Sequence, residues 1–420
     1  MDERLAISRL HRHLGFGVPP GGLTAATERG LAIERASLLD PAAHGFAPPP
    51  DPFEALDLTF EPGNGSTRKL AAAAVTAWFD RFVSTQWVLA DRIAWFWHGH
   101  LVSSLGKVKA PDALANQIRL FWRLGLGDLR SLITEITTDP AMLVYLDGKD
   151  STRQAPNENF SRELMELFAL GVGNYSEADV VAGARALTGW TVNLRNGGGA
   201  VFRGARHDAM GQRFLGVDGV DDVESVISAV LGHEACAPFI VGRFAREFLG
   251  PRTAPSAVGR LAAGFRAGGY RIDSLLDSVV DELINGTDGG PIVSAPVPWL
   301  VAAQRITGAR LDPSRRLAAL RAAGQLPLNP PTVAGWPRGE AWYGSATVVA
   351  RLNLALAVAA ATPRTNRSLQ AATAGDWLAL ADEFGLATGF GPTTARGLAI
   401  ADSGEHRLAL ALVSPEYVEV

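Results

Sequence analysis

Asn157-Glu158-Asn159-Phe160-Ser161-Arg162-Glu163-Leu164-Met165-Glu166-Leu167-Phe168 carries the clearest structural signal in the chain. Asn157 suits a helix N-cap, and Glu158 sits where the helix dipole favours a carboxylate. Gly171 and Gly173 follow, and glycine is the residue that accepts the left-handed turn past a helix end. At about 100° per residue, Phe160, Leu164, Leu167 and Phe168 fill one apolar arc. Asn159, Glu163 and Glu166 fall within about 60° of one another beside it, and Leu170 projects into the same polar arc. Glu163 thus stands at the edge of a buried face, where a carboxylate must be paired, protonated or metal-bound.

Helical periodicity extends in both directions from this segment. From Arg68 to His98, Leu70, Ala74, Trp78, Phe82, Leu89, Ile93, Phe96 and Trp97 recur at three- and four-residue spacing. Ser176, with Asp179 three residues on, opens the next helix to about Gly189 as a variant capping box. Further helices are expected at 2–15, 23–40, 111–124, 127–137 (opening near Asp128), after Asp139-Pro140, across 221–285, and at 346–361 and 368–384. Residues 41–66, with Pro62 and Gly63 to Gly65, and residues 326–345 read as loops. The period changes at Thr191–Arg195, Asn196-Gly197-Gly198-Gly199 and Ala200–Arg203, a β-hairpin signal. No repeat and no clean linker divides the 420 residues. The expected fold is mainly α: one multi-helix domain over 1–420, with a small β-hairpin near 191–203 and a C-terminal helical lobe from about 290 as a variant.

Composition removes several classes. Apolar residues make up 47% and charged residues 20%, the opposite of a disordered chain. A net charge of −4 gives no basic field for nucleic acid. Cys236 is the single cysteine, which excludes an intramolecular disulfide, a cysteine zinc knuckle and an iron–sulfur site. No basic start precedes an apolar stretch at the N-terminus, and no uncharged apolar run is long enough to span a bilayer. These features predict no signal peptide, no transmembrane segment and a cytoplasmic protein.

Five polar constellations remain. In Trp95-Phe96-Trp97-His98-Gly99-His100 the two histidines are metal-ligand types, but a regular helix points them about 200° apart. Both reach one ion only if the helix breaks at Gly99; otherwise His98 is a packed histidine at a helix C-terminus. Glu163 and Glu166 form an E-x-x-E pair able to hold a metal between helices, or Glu163 pairs with Arg162, Arg185 or Arg92. Arg206-His207-Asp208 could orient His207 for general-base work or metal binding, or be an ordinary loop. Around Pro330-Pro331, Trp336 and Trp342 could stack on a planar ligand, or pin the loop to the core. In His11-Arg12-His13 at most one histidine is expected to face inward, and Gly15-x-Gly17 is not a phosphate loop. His44, His233 and His406 read as structural or exposed. No nucleophile elbow, Walker motif, zincin motif or dinucleotide fingerprint is present.

Phe96-Trp97-His98-Gly99-His100, Asp139-Pro140-Ala141-Met142, the 156–168 run, Leu170–Tyr175, Ala186–Trp190, Arg206-His207-Asp208 and Asn329-Pro330-Pro331 through Gly335-Trp336 together resemble a bacterial family known as domain of unknown function 1800. The resemblance runs from the N-terminus to about residue 350. It implies no established activity. It does imply an envelope or secreted-substrate role, since many relatives are exported, and a partner from a sulfatase-like family of unknown function encoded beside them. This chain departs in lacking a leader, and in carrying Gly99 where relatives have a bulkier polar residue.

Two readings follow. One is an enzyme with a His/carboxylate site, with His98, His207 and Glu163 as catalytic residues. Its divalent metal would be held by His98, His100, Glu163 and Glu166, and its substrate by Asn157, Asn159, Arg162, Trp336 and Trp342. Hydrolysis and redox chemistry both stay open. The other is a non-catalytic binding or assembly protein that docks a partner protein or an envelope glycan through the Trp-rich loop.

Overall fold

The computed structural model describes residues 1–59, 67–195 and 198–420. Pro62 and Gly63 to Gly65 of the expected loop, and Asn196-Gly197 of the expected hairpin, lie outside the described residues. Among the described residues the chain forms twenty-three α-helices and four short strands. The fold is mainly α, as the periodicity predicts.

Helix starts follow the chemistry of their caps. Asn157 accepts from the Asn159 amide at 2.9 Å, Asp128 from Ser131 at 2.9 Å and Asp139 from Met142 at 2.9 Å. Ser176 and Asp179 form a reciprocal capping box before Glu177–Ala186. Each such cap contributes about 1 kcal/mol by satisfying an amide that the helix leaves bare.

Several expected elements are broken where periodicity is blind. The 23–40 segment is two helices, Gly22–Arg29 and Leu31–Leu39, parted by Gly30 at φ +87°. The 68–98 segment is Thr67–Ser84 and Val88–His98. The 157–170 helix runs as α over Glu158–Glu163 and as π over Leu164–Ala169. The wider turn, seen in Leu170 N donating to Met165 O at 2.9 Å, rotates everything after Met165. Leu170, expected among the polar residues, is therefore buried. Both His11 and His13 are buried, which corrects the expectation of one: the helix Glu3–Leu14 is covered on two sides. His11 Nε2 meets Glu34 at 2.5 Å on one flank, and His13 Nδ1 meets the Phe248 carbonyl at 2.9 Å on the other.

The hairpin pairs β1 (Trp190–Val192) with β2 (Ala200–Phe202) in antiparallel register, Trp190 opposite Phe202. A second hairpin, β3 (Gln212–Phe214) with β4 (Val217–Val220), was not expected. Its turn places Leu215 and Gly216 at positive φ, a geometry usually signalled by Asn-Gly. Phe214, beside the turn, is fully buried.

One continuous apolar cluster runs from Leu10 to Val418 and includes Trp78, Trp97, Phe121, Phe244 and Trp299. Each such side chain contributes roughly 1.5–3 kcal/mol of burial. At one edge Ile292 and Val420 exchange two backbone hydrogen bonds of 2.9 Å. Arg12 ties the first helix to this edge, donating to the carbonyls of Glu416 at 2.7 Å and Glu419 at 2.8 Å. No single helix among the described residues is long and apolar enough to cross a membrane.

Candidate functional site

The helix Val88–His98 does end at Gly99, so His98 and His100 leave it differently. His98 is fully buried among three indoles, its ring centroid 5.2 Å from Trp78, 6.2 Å from Trp95 and 5.3 Å from Trp336. Neither ring nitrogen has a hydrogen-bond partner. Burial alone pushes its pKa down to about 3, so the ring is neutral. His100 stacks on Phe96 and donates from Nε2 to the Phe168 carbonyl at 2.8 Å. That carbonyl belongs to the terminal turn of the π segment, where the helix supplies no donor of its own. Burial, then repulsion from Arg243 and Arg338, holds His100 well below the usual histidine range.

Glu163 is half-buried, and burial followed by repulsion from Glu166 raises its pKa. None of the three arginines expected to pair with it does so: Arg162 takes Glu177 at 2.7 Å, Arg185 takes Asp208 at 2.8 Å, and Arg92 approaches Glu247 at 3.4 Å. Glu166 accepts from the Tyr175 hydroxyl at 2.5 Å. Asn157 caps its helix, and Asn159 donates to the Leu146 carbonyl at 3.3 Å. His207 Nδ1 donates to the Thr188 carbonyl at 3.0 Å, beneath Gly189, where an added Cβ would meet the His207 Cβ at 2.9 Å. Among the described residues no three His, Cys, Asp or Glu side chains gather into a group able to hold a metal ion.

What the structure does assemble is a cleft of about 280 Å³, near the lower end of small-molecule sites. Its walls come from the first helix and its Gly15-Phe16-Gly17 exit, the helix Val88–His98, the helix Cys236–Phe248, the 336–342 segment and the chain's last residues. Trp336 and Trp342 line it, both turned inward and buried. Trp336 stacks on Trp95, centroids 4.8 Å apart and planes 18° from parallel. Gly335 allows this: at φ +86° its α-hydrogens face the Gly99 carbonyl, which an added Cβ would meet at 2.4 Å.

Four arginines line the cleft, Arg12, Arg92, Arg246 and Arg338, against one acidic side chain, Glu247. Arg12 is held by carbonyls, and burial lowers its pKa to about 10. Arg338 donates to the Gly99 carbonyl at 3.3 Å. Arg92 is 7% exposed, and its Nε and Nη1 have no partner; only its Nη2 is engaged, 3.4 Å from both the His13 carbonyl and Glu247. Just behind, burial and then repulsion from Arg338 and Arg246 lower Arg243 to about 10. A buried guanidinium normally has a paired carboxylate, and these arginines outnumber the acidic side chains lining the cleft.

Sequence reasoning singled out Trp336 and Trp342 but no cleft arginine as a binding group. One signal was present: Arg92, Trp95, Phe96 and Gly99 share the i, i+3, i+4, i+7 face of one helix, and all four line the cleft. A charge on a face otherwise made for burial marks a polar site inside it.

No curated protein and no solved structure matches this chain. Residues 9–419 match the family described as protein of unknown function (DUF1800), and the chain belongs to that family.

Proposed function

We propose that this protein binds a small organic anion with a planar or apolar body in the arginine-lined aromatic cleft. The observation that carries this reading is Arg92, buried, lining the cleft and with two guanidinium donors unpartnered. An anion there would add acceptors and charge beyond the one contact with Glu247, while Trp95, Trp336 and Trp342 would cover the ligand's body. The inward turn of both tryptophans favours a small ligand over a docked glycan or protein. The divalent-metal reading has less support, since His98 sits inside an indole cage and, among the described residues, no three His, Cys, Asp or Glu side chains gather around it or His100. If the protein is an enzyme, its His/carboxylate pair is better sought in His13 and Glu247, which line the cleft.

The test is titration of 3-phenylpropionate, followed by tryptophan fluorescence, beside the neutral 3-phenyl-1-propanol. The acid should bind more tightly than the alcohol. Arg92→Met should weaken it roughly 10- to 100-fold, the worth of one charge-assisted hydrogen bond of about 1.5–3 kcal/mol. Equal affinity for acid and alcohol, or no effect of Arg92→Met, would refute the reading.

A further inference from the structure

His13 stands in the wall of the same cleft, and its hydrogen bonding fixes what it can offer a ligand. Its Nδ1 lies 2.9 Å from the Phe248 carbonyl. A carbonyl only accepts, so the ring proton is on Nδ1. In the neutral ring Nε2 is then a bare lone pair. Burial, together with Arg9 and Arg12 on its own helix and Arg92 on the facing one, keeps the ring neutral by pushing its pKa down to about 3.

Arg92 Nη2 lies 3.4 Å from the His13 backbone carbonyl. Both side chains line the cleft, which thus offers a ligand a strong cationic donor and a neutral acceptor. A plain carboxylate facing Nε2 brings lone pair against lone pair. An anion that also carries a hydroxyl one or two bonds away satisfies both groups: its charge meets Arg92 and its O–H donates to Nε2. On this basis, and resting on the anion-binding reading above, we propose that His13 Nε2 is a fixed hydrogen-bond acceptor that selects hydroxy-carboxylates among the anions the cleft admits.

The polar asymmetry makes this selective. A site with a buried acceptor penalises a ligand that leaves it unpaired by the desolvation of that acceptor, beyond the hydrogen bond lost. The ring also cannot adapt by turning over, because a flip would leave the Phe248 carbonyl without its donor.

The experiment compares 3-phenyllactate, each enantiomer separately, with 3-phenylpropionate, which differs only in lacking the hydroxyl. Calorimetry is run in two buffers of different ionisation enthalpy from pH 5.5 to 8. The wild type should prefer one phenyllactate enantiomer roughly 3- to 10-fold, the range one neutral hydrogen bond spans. The preference should stay flat with pH, with no proton taken up on binding. His13→Phe should abolish the preference, so that the three acids bind alike. Should that variant fail to fold, nitrogen NMR of the wild-type ring must still show an unprotonated Nε2 throughout. Equal binding of the three acids, or proton uptake on binding, overturns this proposal and leaves the anion reading standing. Failure of all three acids to bind overturns both.

Discussion

Gly335→Ala and Gly99→Ala probe one contact from its two sides and should have opposite outcomes. Gly335 lies at φ +86°, and its added Cβ would sit 2.4 Å from the Gly99 carbonyl oxygen. The left-handed backbone costs an L-residue about 1–2 kcal/mol. The clash is with backbone, so no rotamer relieves it, and forced displacement of packed groups adds roughly 1–3 kcal/mol. The total of roughly 2–5 kcal/mol corresponds to a fall of about 2–6 °C in Tm, at about 2.1 cal/mol/K of unfolding entropy per residue over the whole chain. The displaced groups include Trp336 and, through its bond to Gly99, Arg338. Affinity for 3-phenylpropionate should therefore fall at least about 10-fold, as one charged contact is lost. Gly99 has ordinary helical angles, φ −85° and ψ −6°, and the nearest atoms to its added Cβ are 3.6 Å away. Gly99→Ala should leave binding unchanged and be neutral or stabilising by about 0.4–1 kcal/mol, through the stiffer unfolded chain. Thermal melts and titrations of the two variants decide the matter. Gly335→Ala with wild-type stability and affinity would show that the loop is not seated through this glycine, and would remove the reason given for the position of Trp336.

His98→Leu should leave stability unchanged or raise it by up to about 2 kcal/mol in chemical denaturation, because it removes two unpartnered buried nitrogens at the expense of some edge contacts with the indoles. His98→Ala, which leaves a void instead, should cost roughly 2–4 kcal/mol; a loss above 2 kcal/mol in the leucine variant would mean that the ring has a partner. Asp139 is buried, and burial raises its pKa to about 7 from 3.8. The folded state then holds a proton that the unfolded state has released, so this group makes stability fall as pH rises from about 4 to 7, by at most about 1.4 kcal/mol per pH unit. Asp139→Asn keeps an acceptor for the Met142 amide and the Gln117 side chain, and should flatten the stability–pH profile in that window. A profile identical to wild type would show that Asp139 is ionised throughout.

The helices were legible wherever a local rule sets them. Asn157, Ser176, Asp128 and Asp139 each cap the helix their side-chain chemistry announces. Breaks inside apolar runs were not legible. Gly30 divides two helices only because the chain turns there at φ +87°, and an isolated glycine within a helical pattern is usually tolerated. The π turn at Leu164–Ala169 was invisible for the same reason: no single residue type encodes it, and it depends on how the segment packs.

The site was harder to read than the fold because it is a difference of charge between segments far apart in sequence. Each motif that drew attention was locally conspicuous, and several are satisfied locally. His207 is held by Thr188, Arg185 pairs with Asp208, and Asn157 serves its own helix. Arg12, Arg92, Arg246 and Arg338 are each ordinary in their own stretch of sequence. Only folding brings them to one cleft with a single acidic side chain. A locally conspicuous polar residue announces that it needs a partner, and a stable fold tends to provide one. The functional demand is greatest where folding has left it unmet, at Arg92 Nε and Nη1 beside a histidine whose lone pair is fixed in place. Those are the groups for which an external partner would change the energy most.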